Sequence, residues 1–545
     1  MIRARSRSKS QDRHAALRFA SVALLALLDS IAPCADASTA PAPSATTFDV
    51  WEYRVDGNVT LTQREIEAAL YSLLGEGKTL NDVESAAKAL EDVYRAKGYP
   101  AVVVSVPEQQ VEGGVVRLLV VEGRVDRVRV KGSRYYSNDA IRDAVPSLAQ
   151  GQTLHVPSVS EDLTTLQRRA PDRVIRPVLR SGQDPGTVDV DLVVEDKLPL
   201  HGSVGVDNNA TRDTSSTRLN VSLGYDNLWQ QDQSVRLIFQ DSPEQPDEVK
   251  VFAGTYIFRF QSSPTMLALT YVDNQSNVAS VSDTLVIGKG KSIGARLIEP
   301  LPAHGDWFHS ITFGYDYKDF DDTVAVLHGT GLETRVTYGN GSVAYGFGRD
   351  GEGSRLQASI AANAGIRGLF NETNEFADKR FKGNANYIYL RGDLEYQHAL
   401  PLGMAIDFNL TGQTTQGALI SNEQFGIGGW STVRGYYEAE ELGDYGAALQ
   451  VELRSPNFAN RLGDWVPLAL RDAYLTLFTD YGSVGVNDPL PGQADQTRLR
   501  SVGIGLRLSG AAGWEGHLFW ALPLESGEAT ASSDSKTLFN VTYGF

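Results

Sequence analysis

An arginine in a glycine-rich segment and an aspartate further along the chain form the most specific chemical pattern of this sequence. Arg434 lies in residues 428–436, whose glycines permit a tight backbone. A guanidinium held inside a folded loop is costly unless a carboxylate pairs with it. Asp480 is an available partner, because alternation along residues 475–482 turns it away from the face that carries the large apolar side chains. On residue type alone, Asp480 is also compatible with an ordinary solvated carboxylate.

The sequence shows no side-chain arrangement that indicates an enzyme or a metal site. The eight histidines are scattered, without an H-E-x-x-H pattern. Residues 75–79 and 288–292 look like fragments of a phosphate-binding loop, but position 72 is Ser and position 285 is Leu where the earlier glycine belongs. We interpret both fragments as turns, and we expect no catalytic residue, no cofactor and no metal.

Composition restricts the class of protein further. Lys+Arg 50 against Asp+Glu 67 gives a formal net charge of −17, which argues against nucleic-acid binding because that function needs a basic face. A single cysteine excludes a disulfide scaffold. The 52 glycines, 22 tyrosines and 20 phenylalanines favour a β-rich protein with many tight turns. The longest apolar run, residues 19–28, is shorter than the roughly 18 to 20 residues of a membrane-spanning helix.

The N-terminus has the three parts of a secretory signal peptide. Basic residues precede the apolar run, and Ala35-Asp36-Ala37 provides a cleavage site of the A-x-A type. We therefore expect residues 1–37 to be a signal peptide and residues 38–47, which are rich in Pro, Ala, Ser and Thr, to be a flexible linker. Cleavage would also remove Cys34, the only cysteine, leaving a chain suited to an oxidising compartment.

Residues 48–122 and 123–197 read as two small α+β modules with one order of elements. In each, a strand is followed by two helices and two further strands. Thr62 and Glu65 form a capping box that opens the first helix, and Ser137 caps a helix of the second module. Two consecutive segments of similar length and order indicate a tandem array.

Residues 198–545 read as an all-β region, because helix signals vanish there and apolar and polar residues alternate. In residues 404–410, for example, four apolar side chains share one face, while Asp407 and Asn409 share the other. Charges that alternate with large apolar residues do not fit a dry sandwich core, but they fit a wide barrel with lipid outside and water inside. We predict a transmembrane barrel of about sixteen antiparallel strands that ends on Phe545. An extracellular β-sandwich array or a β-helix is the alternative.

The two α+β modules resemble polypeptide-transport-associated (POTRA) domains. The resemblance is carried by Gly98-Tyr-Pro100 after the second helix, by Val121-Glu-Gly-Arg124, and by the strand that follows with Lys131-Gly132. The junction at residues 121–124 resembles the first module of the two-partner secretion transporters, the ShlB/FhaC/HecB family. A pair of unrelated α+β domains is the alternative reading of these residues.

The chemical pattern around Arg434 resembles motifs of the BamA-like superfamily, to which that family belongs. Its sixth-loop VRGY/F motif is matched by Val433, Arg434, Gly435 and Tyr436. Its F-x-D-x-G motif on strand thirteen is matched by Phe478, Asp480 and Gly482. The resemblance implies that Arg434 and Asp480 form a bidentate pair in the lumen. A C-terminal aromatic such as Phe545 resembles the signal read by the barrel-assembly machinery.

The resemblance covers nearly the whole mature chain and implies a function. It implies a transporter in the bacterial outer membrane, with its POTRA domains in the periplasm, that secretes one large β-helical exoprotein (a TpsA-like partner with an N-terminal secretion domain). The POTRA domains would capture that partner at a strand edge or groove, and the chain would thread through the barrel without nucleotide hydrolysis. The expected partners are the exoprotein, the barrel-assembly machinery and outer-membrane lipid, with no nucleic acid.

One departure from the family pattern concerns closure of the pore. Family members often carry a plug helix before the first POTRA domain, and residues 38–47 leave no room for it. We therefore expect a leakier channel, or closure by another element such as the sixth loop. Two other functions stay open. One is a barrel-insertion factor of the BamA or TamA type, against which the presence of only two POTRA modules argues. The other is a general porin, against which the modules and the loop motif argue.

Overall fold

The computed structural model describes residues 46–212, 214–261, 263–276, 278–281, 284–324, 332–462 and 469–545. The predicted signal peptide and most of the predicted linker lie outside the described residues, so both stay predictions. The described chain forms two small α+β modules followed by a closed β-barrel, which confirms the predicted fold class. Among the described residues, no helix is both long and apolar enough to cross a membrane.

The first module packs two helices against a three-stranded sheet. The helices are Gln63–Leu70, continued by the 3-10 turn Tyr71–Leu73, and Leu80–Ala96. The central strand Val115–Val121 runs parallel to Glu52–Asp56 and antiparallel to the outer strand Val103–Ser105. Capping boxes at Thr62 and Thr79 open the two helices, as predicted for the first of them. Apolar side chains at helical spacing, among them Val83, Ala86, Leu90 and Tyr94, form the buried core with the sheet.

The interpretation of residues 75–79 and 288–292 as turns is wrong. Gly75–Lys78 is a strand that pairs antiparallel with Phe48–Val50 in a small second sheet of the first module. Residues 289–292 begin the long barrel strand Lys289–His304. Glycine content indicated turns, but both strands are fixed by pairing with other segments, Phe48–Val50 in one case and the neighbouring barrel strands in the other, and local composition does not reveal such pairing.

The second module repeats this arrangement around the central strand Thr187–Asp196. Arg124–Lys131 runs parallel to it, and the outer strand Arg173–Ser181 runs antiparallel. The helices are Asn138–Asp143 and Val156–Arg169, with the 3-10 turn Pro146–Leu148 between them. The Ala140 amide donates a hydrogen bond to the Ser137 hydroxyl, so Ser137 caps the first helix as predicted.

Sixteen antiparallel strands close the barrel. Numbered 1 to 16 in chain order, they are Leu200–Asp207, Arg218–Leu228, Gln233–Asp241, Lys250–Arg259, Met266–Asn274, Lys289–His304, Trp307–Val324, Leu332–Gly351, Ser354–Gly365, Tyr387–Ala399, Ala405–Thr414, Tyr445–Arg454, Leu470–Gly485, Gln496–Gly510, Trp514–Pro523 and Lys536–Gly544. Strand 16 pairs with strand 1 through residues 540–544, and this pairing completes the barrel.

The two faces of the barrel wall differ as predicted from alternation. On strand 13, Leu475, Leu477 and Tyr481 are exposed on the outer side, whereas Phe478 and Asp480 are buried on the inner side. A charged residue can occupy every second position because its face never meets lipid. Two short hairpins do not belong to the barrel sheet, Val278–Val281 with Thr284–Ile287 and Phe425–Ile427 with Glu441–Gly443. The helices Thr373–Lys379 and Ala459–Leu462 and the 3-10 turns Pro401–Gly403 and Ser421–Glu423 lie in the connections.

Polar contacts join the second module to the barrel where strands 1, 2 and 3 begin or end. The buried Arg173 donates two hydrogen bonds to the Asp232 carboxylate, at 3.0 and 2.9 Å. The Asn227 side chain donates to the Tyr135 carbonyl at 2.9 Å. His201 lies 2.8 Å from the Asp172 carboxylate. The contacts fix the second module against the barrel rim.

His201, Asp172 and Asp226 also place possible metal-ligating atoms within 4.8 Å of one another, a proximity that spacing along the chain does not show.

Candidate functional site in the barrel lumen

The sixth surface loop, residues 415–444, connects strands 11 and 12 and folds back into the lumen. This is the loop to which the sequence analysis assigned Arg434. At its tip, Gly428, Gly429 and Gly435 have φ values of 109°, 90° and 96°. Residues with a Cβ rarely adopt this left-handed region, so the glycines allow the chain to turn tightly around the arginine.

Arg434 makes three hydrogen bonds to the carboxylate of Asp480 on strand 13. Its Nε donates to Oδ2 at 2.8 Å and its Nη2 donates to Oδ1 at 2.6 Å, which is the bidentate geometry of a guanidinium and a carboxylate. The Arg434 backbone amide adds a third bond, to Oδ2 at 3.0 Å. The side chains of Arg434 and Asp480 are only 3% and 0% exposed, so this carboxylate is enclosed rather than solvated.

A second carboxylate, Glu452 on strand 12, also binds Arg434. Arg434 Nη1 donates to Glu452 Oε1, and Arg507 Nη2 on strand 14 donates to Oε2 at 2.6 Å. The sequence analysis did not single out Glu452 as a site residue. Alternation along a strand predicts which face a residue occupies. It does not predict whether that residue lies at the same level of the barrel as the loop tip, as Glu452 does.

Aromatic rings enclose the remaining faces of the guanidinium. The Arg434 guanidinium carbon lies 3.8 Å from the ring centroid of Phe478 and 5.2 Å from that of Phe519 on strand 15. Trp430 of the loop packs edge-on against Phe519 with centroids 5.2 Å apart. The rings exclude water and add cation–π attraction, so the two carboxylates act on the arginine in a site of low polarity.

The other motif residues fix the loop tip against the wall. Val433 is buried against Gly482, where an added Cβ would lie 2.8 Å from Val433 Cγ2. The Tyr436 hydroxyl donates to the carbonyls of Arg500 and Glu525, at 2.9 and 2.7 Å. Every position of the two motifs therefore lies at one contact between the loop and strands 12 to 15.

Acidic residues that the sequence analysis did not identify connect the sixth loop to its neighbours. The fully buried Asp444 accepts two hydrogen bonds from Arg380 of the fifth loop, at 2.6 and 2.7 Å, and one from the Asn487 amide of the seventh loop at 2.6 Å. Glu440 accepts from the amide and hydroxyl of Thr530 in the eighth loop, at 2.8 and 2.6 Å. The extracellular loops are thus held together through the sixth.

The lumen beside the loop contains open space whose walls include many polar and charged side chains. Three cavities of about 260, 450 and 640 Å³ lie against the inner wall. The largest borders the loop tip and is lined in part by Arg391, Asp393, Glu395 and Arg507. This arrangement is that of a wet channel crossed by a loop.

The terminal residue closes the seam of the barrel. The Phe545 amide donates to the Gly202 carbonyl at 2.9 Å on strand 1. Its ring covers Gly202, where an added Cβ would lie 2.3 Å from the ring. The outer face of Phe545 stays exposed toward the membrane.

Comparisons with known proteins agree with this architecture. Residues 186–508 match the family of haemolysin secretion/activation proteins ShlB/FhaC/HecB, and residues 48–123 match the ShlB-type POTRA domain. The Heme/hemopexin transporter protein HuxB of Haemophilus influenzae is 21% identical over 485 residues, covering 86% of this chain and 82% of HuxB.

Solved structures show the same fold. CdiB from Escherichia coli superposes with a TM-score of 0.65 at 19% identity, covering 94% of this chain and 93% of CdiB. BamA from Haemophilus ducreyi lacking POTRA domains 1–3 gives 0.54 at 14% identity, covering 91% of this chain and 100% of that one. The family match spans more than half of the sequence and confirms the resemblance drawn from the motifs. The chain belongs to the ShlB/FhaC/HecB family of haemolysin secretion/activation proteins, as an outer-membrane barrel transporter whose POTRA domains lie in the periplasm.

Proposed function

We propose that this transporter secretes one large β-helical exoprotein, which the POTRA domains capture and the barrel passes outward without nucleotide hydrolysis. The observation that carries the proposal is a barrel whose lumen is crossed by a loop fastened through Arg434 and Asp480, with the second of two α+β modules fixed at its rim. A loop held by specific contacts can be released, whereas a channel for small solutes alone needs no capture domains.

The surface best suited to capture lies between the two POTRA domains. A cleft of about 620 Å³ is lined by Val103 of the first domain and by residues 179–188 of the second. Val103–Ser105 and Arg173–Ser181 are the outer strands of their sheets, and Val103, Val178 and Leu179 are exposed there. An extended segment with alternating apolar residues would pair with such a strand and place its apolar side chains in the cleft.

The lumen is suited to passage of an unfolded chain. The wall of strands 9 to 14 carries Arg355, Gln357, Gln397, Asn409 and Arg454, so it offers water-like partners to a peptide backbone rather than an apolar surface. In the periplasm no nucleotide drives the movement. Folding of the exoprotein outside the cell supplies the direction, because the folded β-helix is too wide to return.

The sixth loop takes the place of a plug in this proposal. Release of Arg434 from Asp480 would free the loop tip from strands 12 to 15 and widen the path.

We further propose that Phe545 serves as the recognition residue for the barrel-assembly machinery. Replacing Phe545 with Ser would then lower the amount of inserted barrel without changing the secretion per inserted barrel.

The names of the relatives do not select a cargo. One relative is named for heme/hemopexin transport and another, from Dickeya dadantii, as the outer membrane transporter CdiB. We propose only that the cargo of this chain belongs to the TpsA-like class, with an N-terminal secretion domain.

The test is a comparison of the proteins outside the cell with and without this transporter. Deletion of its gene is expected to remove one large exoprotein from the medium and cell surface, and expression of the wild-type chain restores it. A general loss of outer-membrane barrels after deletion would instead indicate an insertion factor. Unchanged exoproteins together with a loss of small-solute uptake, measured by liposome swelling, would indicate a porin.

A further inference from the structure

The limb of the sixth loop that enters the lumen carries a buried carboxylate which the contact at Arg434 does not use. Glu423 ends the 3-10 turn Ser421–Glu423, and its side chain is 1% exposed. Its Oε1 accepts from Lys318 Nζ at 2.5 Å and from the Tyr338 hydroxyl at 2.6 Å. Its Oε2 accepts from the Tyr389 hydroxyl at 2.7 Å.

The three donors belong to the wall of the barrel, not to the loop. Lys318 lies on strand 7, Tyr338 on strand 8 and Tyr389 on strand 10. The Arg434 contact involves strands 12 to 15, so the two contacts lie on different sections of the wall. Ten residues of the loop, 424–433, lie between Glu423 and Arg434, and they include the hairpin strand Phe425–Ile427. Besides its contacts with other loops, the sixth loop is therefore fastened to two different sections of the barrel wall.

Apolar packing supports the Glu423 contact. Leu419 and Ile420, just before the turn, are buried against Phe320 and Val336 of strands 7 and 8 and against Phe376 of the fifth-loop helix. Gln413 on strand 11 also holds the turn, since its Nε2 donates to the Glu423 carbonyl at 2.9 Å. A carboxylate at such a site needs all its donors, because a buried charge that loses its partners is strongly unfavourable.

We propose that Glu423 is a second positioning residue of the sixth loop. It fastens the entering limb to strands 7, 8 and 10, as Arg434 fastens the tip to strands 12 to 15, so that the loop spans the lumen as a strap. Release at one end alone leaves the strap attached at the other, and full opening requires both. This inference rests on the proposed role of the sixth loop as the gate. It adds that strands 7, 8 and 10 also hold the loop in place.

The experiment measures ion conductance of the purified full-length protein in planar bilayers, with no exoprotein present. Glu423→Gln removes the charge but keeps the length of the side chain, and Lys318→Met removes the partner charge. Each is expected to raise the frequency of opening by at least about tenfold, since a hydrogen-bonded charge is lost from the closed state only. The double variant Glu423→Gln/Lys318→Met is expected to open no more often than either single variant, because the two act as a pair.

Two matched controls separate positioning from general damage. Glu395→Gln changes a lumen carboxylate on strand 10 that is exposed rather than enclosed, and it is expected to conduct like wild type. Lys318→Arg keeps the charge that pairs with Glu423, so this variant is expected to stay as closed as wild type, unlike Lys318→Met. Combining Glu423→Gln with Arg434→Ala is expected to give a larger mean conductance than either change alone, because both ends of the strap are then free.

A variant that does not insert would be replaced by Tyr389→Phe, which removes one hydrogen bond and leaves the charge pair intact. Heat-modifiability on gels shows which barrels are folded. Wild-type conductance of folded Glu423→Gln and Tyr389→Phe barrels would overturn the inference. The proposed function fails separately, because it is tested by loss of an exoprotein from the medium and not by conductance.

Discussion

Arg434 illustrates why one residue type is needed at the loop tip. Its fork of donors reaches Asp480 with Nε and Nη2 and Glu452 with Nη1, while Phe478 covers its face. A lysine would bring one compact ammonium and could not serve both carboxylates in this planar arrangement. The contact is therefore specific to arginine. Its two acceptors, Asp480 and Glu452, receive different numbers of hydrogen bonds from Arg434.

That inequality gives the first prediction. Asp480 accepts three hydrogen bonds from Arg434, whereas Glu452 accepts one from Arg434 and one from Arg507. Asp480→Asn is expected to weaken the closed loop more than Glu452→Gln, by roughly 1.5–3 kcal/mol for each lost charged hydrogen bond. The measurement is the rate of protease cleavage in the sixth loop of the inserted barrel, with Glu395→Gln as the control. Equal rates for the two variants would contradict the geometry.

A second prediction concerns Glu122, between the two POTRA domains. Burial alone would raise the pKa of Glu122, but hydrogen bonds from Val59, Thr60 and Tyr94 outweigh that effect, so its pKa lies below the ordinary value. A carboxyl whose pKa is lowered by folding stabilises the protein above its unfolded pKa of about 4.3, and this stabilisation is lost as pH falls through the folded pKa.

Protection of amide hydrogens in residues 48–122, corrected for intrinsic exchange, should therefore fall between about pH 6 and pH 3. In Glu122→Gln the fall should be smaller, because that side chain does not titrate. The exposed Glu108→Gln is the control, with a wild-type profile expected. An identical fall in wild type and Glu122→Gln would show that Glu122 is not the group responsible.

The sequence identified some residues of the site and missed others for physical reasons. Arg434 and Asp480 stand in short motifs that resemble those of a known family, and that resemblance pointed to their pairing. Glu423 and Asp444 look in the sequence like ordinary acidic loop residues. Their burial depends on donors far along the chain, such as Lys318 and Arg380, and local pattern holds no information about such contacts.

At the scale of elements, the joint between the second α+β module and the barrel is held by polar side chains. Arg173 is enclosed at the first periplasmic turn, where it binds Asp232 and lies 4.7 Å from the Tyr136 ring centroid. Two backbone groups of the domain, the Tyr135 carbonyl and the Ser137 amide, bond the side chains of Asn227 and Gln230. These contacts orient the cleft between the two modules relative to the lumen.

A third prediction follows for this joint. Arg173→Ala removes both hydrogen bonds to Asp232 and leaves that carboxylate without its main partner, so the domain should move more freely on the barrel. Distances between spin labels on the second domain and on the barrel rim should then spread over a broader range. Arg176→Ala, on the same strand but exposed and paired only with Glu195 at the surface, is the control. A distance distribution unchanged by Arg173→Ala would show that the joint is held by other contacts.

Elements with strong local signals were predicted well and elements fixed by distant pairing were not. Capping residues and helical spacing located Gln63–Leu70 and Leu80–Ala96 to within a few residues. The strand Gly75–Lys78 was misread as a turn because its four residues carry no strand signal without Phe48–Val50 beside them. Barrel strands were found because one face of each strand meets lipid and the other meets water. This difference is visible in the sequence as alternating apolar and polar residues.

At the scale of the whole molecule, the sixth loop crosses the lumen but does not fill it. Cavities of about 260, 450 and 640 Å³ remain along the inner wall. Our fourth prediction is a resting channel that leaks ions, because this open space lies beside the loop. Planar-bilayer recordings of the wild-type protein should show frequent small openings. A tightly closed resting pore would contradict it.

The central claim is that the Arg434–Asp480 contact controls secretion through this barrel. The most direct measurement is the amount of exoprotein released by cells carrying Arg434→Ala, at equal levels of folded, heat-modifiable barrel, with Arg349→Ala as the control, because Arg349 is exposed and pairs with Asp306 away from the loop contact. The account predicts that Arg434→Ala loses most of the secretion and that Arg349→Ala keeps it. Wild-type secretion by a normally inserted Arg434→Ala barrel would contradict the account.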